Sequence, residues 1–101
     1  MLYDGNQTST TPGTPVRLAS VRTIAAWMTI IPRRNTDGTP ANTSPVVIGG
    51  SDVAFTKGYV LASGDAQVSW PVSDINWIDL HEVWMDVITS GDGVQFIYAT
   101  R

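Results

Sequence analysis

The chain has 101 residues, no cysteine, a net charge of −3 and only 15% charged residues. This length predicts a single domain, and the absence of cysteine excludes disulfide bonds and thiolate metal sites. The six basic residues are dispersed except for the adjacent pair Arg33 and Arg34, so the basic stripe that nucleic acid binding requires is missing. No stretch approaches the roughly 18 apolar residues of a membrane helix. We therefore expect neither a nucleic acid nor a membrane partner.

The low charge and the aromatic content together indicate a protein-binding surface. Typical soluble domains carry about 25% charged residues, whereas this chain carries 15% and contains four tryptophans and three tyrosines. The centres of protein–protein interfaces are depleted in Lys, Glu and Asp and enriched in aromatic residues. Small cores also use tryptophan, so each of these residues belongs either to the core or to an interface.

The N-terminal segment is predicted to be a flexible or extended arm over residues 1–15. Residues 4–15 (DGNQTSTTPGTP) are rich in Thr, Ser, Gly and Pro and have almost no apolar side chain to bury. Met1, Leu2 and Tyr3 stand at the outer end of this segment. We expect these three residues to anchor the arm on a neighbouring protein, for example by adding a strand to the edge of its sheet.

The longest apolar run lies between Val21 and Ile31 and is predicted to be a strand. Its β-branched residues, and the proline that ends it at Pro32, favour a strand over a helix. Both faces of the run are apolar at a period of two, so we expect a central strand that is covered on both sides, with Trp27 in the core. Residues 32–45 follow as a long polar loop, and loops of this length are commonly functional or mobile.

The rest of the chain alternates short apolar segments with turn signals. Further strands are predicted at residues 16–18, 46–48, 59–61, 67–70, 72–78, 83–88 and 94–98. The last two are expected to pair as a hairpin in which Val94, Phe96 and Tyr98 share one face. Short strands with turn signals about every 8–12 residues predict an all-β fold. We expect a small antiparallel β-sandwich or barrel, forming a single domain over residues 16–101.

The sequence offers little for catalysis. His81 is the only histidine and has Asp79 and Glu82 beside it. Residues two apart on a strand share a face, so Asp79 and His81 are placed to form a hydrogen bond. No nucleophile-elbow motif accompanies them. We expect a protein that is not an enzyme, with no catalytic residue and no cofactor.

Metal binding is not expected either. One histidine without cysteine makes a transition-metal site only if carboxylates join it. Calcium would have to use aspartates in predicted turns, but an aspartate in a turn caps its own backbone without any ion. The aspartates concerned are Asp37, Asp52, Asp65 and Asp92.

Three tryptophans lie in segments of mixed polarity and have two interpretations. Trp70, Trp77 and Trp84 are suited to anchor a subunit interface, where tryptophan is favoured. Exposed aromatic residues on a β-sandwich also stack on sugar rings, which is typical of a carbohydrate-binding module. The pair Arg33 and Arg34 contacts either a partner or water.

Six short segments of the chain carry a resemblance to a known class of proteins. They are GTPVRL at 13–18, VVIGGSDV at 46–53, GYVL at 58–61, SGD at 63–65, DIN at 74–76 and GDGVQFIY at 91–98. In these segments, which begin with Gly-Thr-x-Val-x-Leu and extend from about Thr14 to Tyr98, the chain resembles small β-rich bacteriophage virion proteins, namely capsid decoration (cement) proteins and head-fibre or tail-fibre modules.

This resemblance implies a structural protein of the virion that is made in the host cytoplasm and located on the capsid surface. Its partners would be the major capsid protein or other virion proteins, with a tail, neck or fibre component and a carbohydrate-binding module as alternatives. A homo-oligomer is expected, and a trimer would suit the local symmetry axes of a capsid. The residues expected to bind partners are Met1, Leu2, Tyr3, Arg33, Arg34, Trp70, Trp77 and Trp84.

Overall fold

Ten β-strands and one short 3₁₀ turn make up the regular structure in a computed structural model, which describes residues 1–62, 68–70 and 77–100. The turn spans Leu80–Glu82. The strands are β1 (Leu2–Thr8), β2 (Val16–Arg17), β3 (Ile24–Ala25), β4 (Trp27–Pro32), β5 (Val46–Gly49), β6 (Tyr59–Leu61), β7 (Val68–Trp70), β8 (Ile78–Asp79), β9 (Trp84–Val87) and β10 (Gly93–Ala99). Every strand pair is antiparallel, so the predicted all-β fold is confirmed.

The strands form two four-stranded sheets and one small two-stranded sheet. The first sheet has the order β1-β10-β4-β7, the second has the order β2-β9-β5-β6, and β3 pairs with β8. The inner faces of the two larger sheets share one hydrophobic core, which makes the fold a β-sandwich. Its buried members are Leu18, Ala25, Met28, Ile30, Val46, Ile48, Leu61, Leu80, Val83, Met85, Val87, Val94 and Phe96.

The apolar run at residues 21–31 is covered on one side only. It divides into β3 and β4, and Met28 and Ile30 of β4 are fully buried in the core. Trp27 lies on the opposite face and is 38% exposed. The prediction of a strand covered on both sides, with Trp27 in the core, is therefore wrong. The apolar residues on the core-facing side of β4 are buried, whereas those on its opposite side stay at the surface.

The flexible arm predicted over residues 1–15 is not confirmed. β1 pairs with β10 along its whole length, from Leu2 opposite Ala99 to Thr8 opposite Gly93. The following loop is attached as well, because the carboxylate of Asp86 accepts a hydrogen bond of 2.9 Å from the backbone N–H of Gly13. A polar segment becomes an edge strand without a large apolar face because the backbone supplies the ladder of hydrogen bonds.

The predicted pairing of the last two strands is wrong, although both strands exist. β9 pairs with β2 and β5 in the second sheet, whereas β10 pairs with β1 and β4 in the first. The connecting turn crosses between the sheets, and the carboxylate of Asp92 fixes it by accepting hydrogen bonds of 2.9 Å from the N–H groups of Thr43 and Ser44. Val94 and Phe96 do share the core-facing side of β10, as predicted.

Strands β5, β6 and β7 form where the alternation of apolar residues predicts them. The strand predicted over residues 72–78 and the turn at 63–65 fall largely outside the described residues. Within the described ranges, no helix has the length and apolar character needed to cross a membrane.

Candidate functional site

The outer face of the first sheet carries exposed apolar side chains next to one another. Successive side chains of a strand alternate between the two faces of a sheet. Leu2 lies opposite Ala99, which lies opposite Trp27, and Ile97 is the next residue of β10 on the same side. Leu2 is 59% exposed, and Trp27 and Ile97 are each 38% exposed. We call the side of the first sheet that points away from the core the outer face.

The middle of the outer face is a shallow hollow of about 450 Å³, lined in part by Asp4, Asn6, Thr29, Ile31 and Gln95. Among the described residues at the outward-facing positions of these four strands, Asp4 is the single charged one. Asn6, Gln95 and Thr29 add amide and hydroxyl groups to the same hollow, and the Thr29 hydroxyl lies 3.0 Å from the Ser69 hydroxyl. A surface with apolar anchors, neutral polar groups and little charge is typical of the centre of a protein–protein interface.

The predicted N-terminal anchor residues are exposed but do not all lie on the outer face. Leu2 lies on the outer face, whereas Tyr3 lies on the core-facing side of the sheet, beside Tyr98. Met1 is 80% exposed and Tyr3 is 43% exposed, and the ring of Tyr3 stacks on that of Tyr98 with centroids 5.3 Å apart. The role of these three residues as anchors stays a prediction, and the sequence did not indicate the exposure of Trp27 and Ile97. At a period of two, Trp27 shares a face of the strand with Thr29 and lies opposite Met28. This pattern could have indicated that Trp27 is exposed, but both faces of the segment are rich in apolar residues, so the difference between them was not visible.

The two adjacent arginines organise the loop after β4. The guanidinium of Arg33 donates a hydrogen bond of 2.9 Å to the carbonyl of Gly91, and that of Arg34 donates one of 3.3 Å to the carbonyl of Gly38. The backbone N–H of Arg34 also donates to the side-chain oxygen of Gln95. These bonds give both residues a structural role, and their contact with a partner stays a prediction.

The tryptophans expected to bind partners are in different environments. Trp77 is 50% exposed just before β8. Trp84 begins β9, and the guanidinium carbon of Arg17 lies 4.5 Å from the centre of its ring. Arg17 thus occupies one face of the indole, which removes that face from stacking on a sugar. Trp70 belongs to β7, but its side chain falls outside the described part of the chain.

His81 is held by hydrogen bonds in a way that differs from the prediction. The ring Nδ1 lies 3.2 Å from the carbonyl oxygen of Ala19, and Nε2 is hydrogen-bonded to the guanidinium of Arg17. Because a carbonyl only accepts, Nδ1 carries the proton and Nε2 accepts from the arginine. Asp79 binds the backbone N–H of His81 at 3.0 Å and does not bind the imidazole. The expected side-chain bond between Asp79 and His81 is therefore absent.

The carboxylate of Asp79 is a structural acceptor at the start of the 3₁₀ turn. Burial disfavours its charged form, but hydrogen bonds from the backbone N–H groups of Thr23 and His81 and the charge of Arg22 outweigh this effect. The pKa of Asp79 is therefore lower than its ordinary value. Its oxygen atoms are already occupied by these donors, which leaves little capacity for a ligand.

The three described aspartates among those considered for calcium, Asp37, Asp52 and Asp92, bind protein groups. Asp37 accepts hydrogen bonds from the hydroxyl and the backbone N–H of Thr39, and these bonds lower its pKa. Asp52 pairs with Lys57 at 3.2 Å. Asp65 lies outside the described ranges. Among the described residues, no three acidic or histidine side chains come close enough together to hold a metal ion.

Comparisons with protein-family models, with curated proteins and with solved structures found no match for this chain. A functional proposal therefore rests on the chemistry of the described surface. The outer face is its most distinctive part, since it places Trp27, Ile97 and Leu2 side by side with a single carboxylate among them.

Proposed function

We propose that this protein is a non-catalytic structural module that binds other protein subunits through its outer face. The observation that carries this proposal is the exposure of Leu2, Trp27 and Ile97 on adjacent strands. Partly exposed tryptophan in an apolar, weakly charged surface is the usual anchor of a protein–protein interface. Covering these side chains removes apolar area from water, which favours association.

The specific role that we propose is that of a capsid decoration protein of a bacteriophage, bound to the major capsid protein on the surface of the virion. The resemblance of its sequence segments to such proteins supports this role. A small sandwich with one uncovered sheet face also suits it, because a small domain gains stability by mass action when it binds a lattice of subunits. A tail, neck or fibre module would use the same surface chemistry and differs in copy number.

Binding to particles tests the outer face directly. Particles of the source phage, stripped of this protein, are incubated with the wild type, with Trp27→Ala and with Tyr59→Ala. Tyr59 is 54% exposed on β6 of the second sheet and serves as a matched aromatic control. We expect Trp27→Ala to weaken binding by at least about tenfold and Tyr59→Ala to leave it unchanged. Equal binding by all three proteins would refute the role of the outer face.

Copy number separates the two virion roles. Quantitative mass spectrometry of purified particles gives the ratio of this protein to the major capsid protein. A ratio near one, or between one-third and one-half, supports decoration of the capsid lattice. A ratio of a few per cent or less assigns the protein to the tail, neck or fibre, and its absence from particles contradicts both roles.

Carbohydrate binding is a second candidate, favoured by the exposure of Trp27 and Trp77. Stacking of a sugar ring on either indole would quench its fluorescence. Titration with a broad glycan panel, repeated with Trp77→Ala and Trp27→Ala, distinguishes this activity from protein binding. A lack of response across the panel would eliminate it.

A further inference from the structure

Among the described residues, β1 pairs with β10 and with no other strand, so it is an edge strand of the first sheet. The N–H of Thr100 bonds to the carbonyl of Met1 at 2.9 Å, and the N–H of Ser9 bonds to the carbonyl of Asp92 at 3.1 Å. In an antiparallel ladder the residues that bond to a given neighbour alternate. The odd-numbered residues of β1 therefore bond to β10. The N–H and carbonyl groups of the even-numbered residues, Leu2 to Thr8, point away from the sheet.

Apart from the charge of Asp4, this edge lacks the devices that usually protect a sheet from pairing. Its seven residues, LYDGNQT, include no lysine and no proline, and the register with β10 runs without a bulge. The N–H of Thr8 is covered by the side-chain oxygen of Gln7 at 3.2 Å. At Asp4 and Asn6 the described residues provide no backbone partner on the free side. Long, flat edges of this kind are templates for another strand.

We propose that the occupant of this edge is a second copy of the chain, whose β1 pairs antiparallel with the first around a two-fold axis at Gly5. Only registers that place even-numbered residues opposite each other match the free backbone groups of both strands. Among these registers, pairing about Gly5 is the one that uses all seven residues of β1. It places Leu2 opposite Thr8 of the partner subunit, and Thr8 opposite the partner's Leu2.

Side-chain chemistry favours the same register. Pairing about Gly5 places the carboxylate of Asp4 opposite the partner's Asn6, whose amide donates to a carboxylate, and the two-fold axis makes this contact twice. A register shifted by two residues toward the N-terminus places Asp4 opposite the partner's Asp4, and like charges directly opposite are unfavourable. The opposite shift leaves Leu2 without a partner within the strand. Hydrogen bonding between carboxylate and amide, together with the avoidance of facing carboxylates, therefore selects the full-length pairing.

The resulting interface joins the two first sheets into one continuous sheet of eight strands. The backbone groups of Asp4 and Asn6 supply four hydrogen bonds at its centre, two for each copy. The outer faces of both copies then lie side by side, so that a partner meets two sets of apolar anchors at once and binds more tightly through multivalency. This two-fold pair is independent of the identity of that partner, and it differs from the trimer expected from the resemblance.

The first test measures the mass of the full chain in solution by sedimentation velocity, over a concentration series up to about 1 mM. We expect a monomer–dimer equilibrium for the wild type. Asn6→Pro removes an outward N–H that no described residue accepts, and proline is tolerated on an edge strand. It should abolish the dimer and preserve the fold by circular dichroism. Asn6→Thr, which keeps the N–H, should still form the dimer.

A charge exchange tests the register and does not depend on proline. Asn6→Asp places two carboxylates opposite each other at both symmetric contacts, so dimer formation should weaken by about tenfold. Combining Asp4→Asn with Asn6→Asp restores one carboxylate and one amide at each contact, and association should return to within about threefold of the wild type. A wild type that is monomeric throughout, or an unchanged dimer in Asn6→Asp, would overturn the proposal without bearing on the capsid experiment.

Discussion

The ring of Phe96 lies against the α-carbon of Gly5, its direct partner across the ladder between β1 and β10. A Cβ atom at Gly5 would stand 2.7 Å from the ring Cζ atom of Phe96. The glycine thus makes room for a core aromatic ring, and the ring covers the backbone of the edge strand, a known way to stabilise a glycine in a sheet. The relationship explains how a strand as polar as β1 attaches firmly to the core.

Replacing Gly5 by alanine should destabilise the fold by about 1–3 kcal/mol, because the added methyl group must displace a buried ring. Urea denaturation followed by circular dichroism measures the free energy of unfolding. Gly50→Ala is the matched control, since the nearest atom to a Cβ there is 4.0 Å away, and its effect should stay within about 0.5 kcal/mol. Equal stability of Gly5→Ala and the wild type would show that the ring moves aside freely.

The buried carboxylate of Asp92 should be essential for the loop between β4 and β5. It is 3% exposed and accepts hydrogen bonds from the backbone N–H groups of Thr43 and Ser44. Asp92→Ala leaves both donors without their acceptor, so we expect a loss of about 3 kcal/mol in the free energy of unfolding. The measurement is urea denaturation, with hydrogen exchange at the two amides as a local probe.

Asp37→Ala provides the comparison for this experiment. Asp37 also accepts hydrogen bonds from a loop residue, Thr39, but it lies at the exposed tip of the same loop. Its removal should cost little and leave the exchange of the Thr43 and Ser44 amides unchanged. If the two alanine variants lose equal stability, the carboxylate of Asp92 does not anchor the loop.

Alternation of apolar residues was sufficient to predict the fold class and most strands, but not the partners of those strands. The alternation in β10 correctly predicts that Val94, Phe96 and Tyr98 share one face. It does not distinguish a hairpin within one sheet from a crossing between two sheets, because both bury the same side chains. The deciding contacts are those of Asp92 with Thr43 and Ser44, which lie 49 and 48 positions away along the chain, respectively.

The candidate site was predicted in part for a similar reason. Leu2 and Tyr3 stood out as apolar residues beside a polar segment, but only Leu2 lies on the outer face, because Tyr3 stacks on Tyr98 on the core-facing side. Trp27 was assigned to the core because it lies within the most apolar segment of the chain. Which face of β4 is covered depends on the second sheet, and no local pattern within the strand reports the position of that sheet.

The contact between Arg17 and Trp84 should contribute modestly to stability. The two residues face each other across β2 and β9, with the guanidinium carbon 4.5 Å from the ring centre. Arg17→Ala should lower the free energy of unfolding by about 1 kcal/mol and expose the indole, which shifts its fluorescence to longer wavelength. Arg17→Lys keeps the charge but loses the planar stacking, so an intermediate effect is expected. Identical spectra for Arg17→Ala and the wild type would contradict this.

Asp79 should make stability depend on pH in the acid range. Its pKa is lowered in the folded protein, chiefly because hydrogen bonds from the N–H groups of Thr23 and His81 overcome the effect of burial. The stabilisation is complete above the unfolded value of about 3.9 and is lost as the pH falls through the lower folded value. The Asp79→Asn variant should therefore lose about 1 kcal/mol at neutral pH, where the turn loses its charged cap.

The same variant should depend less on pH than the wild type in acid. Urea denaturation between about pH 2 and pH 7 measures both proteins, and the two stability curves should converge as the wild-type carboxylate becomes protonated. Some acid dependence remains in the variant, because the pKa of Asp37 is lowered as well. The double variant with Asp37→Asn should flatten the curve further. Parallel curves for the wild type and Asp79→Asn down to the lowest pH would show that Asp79 does not carry this dependence.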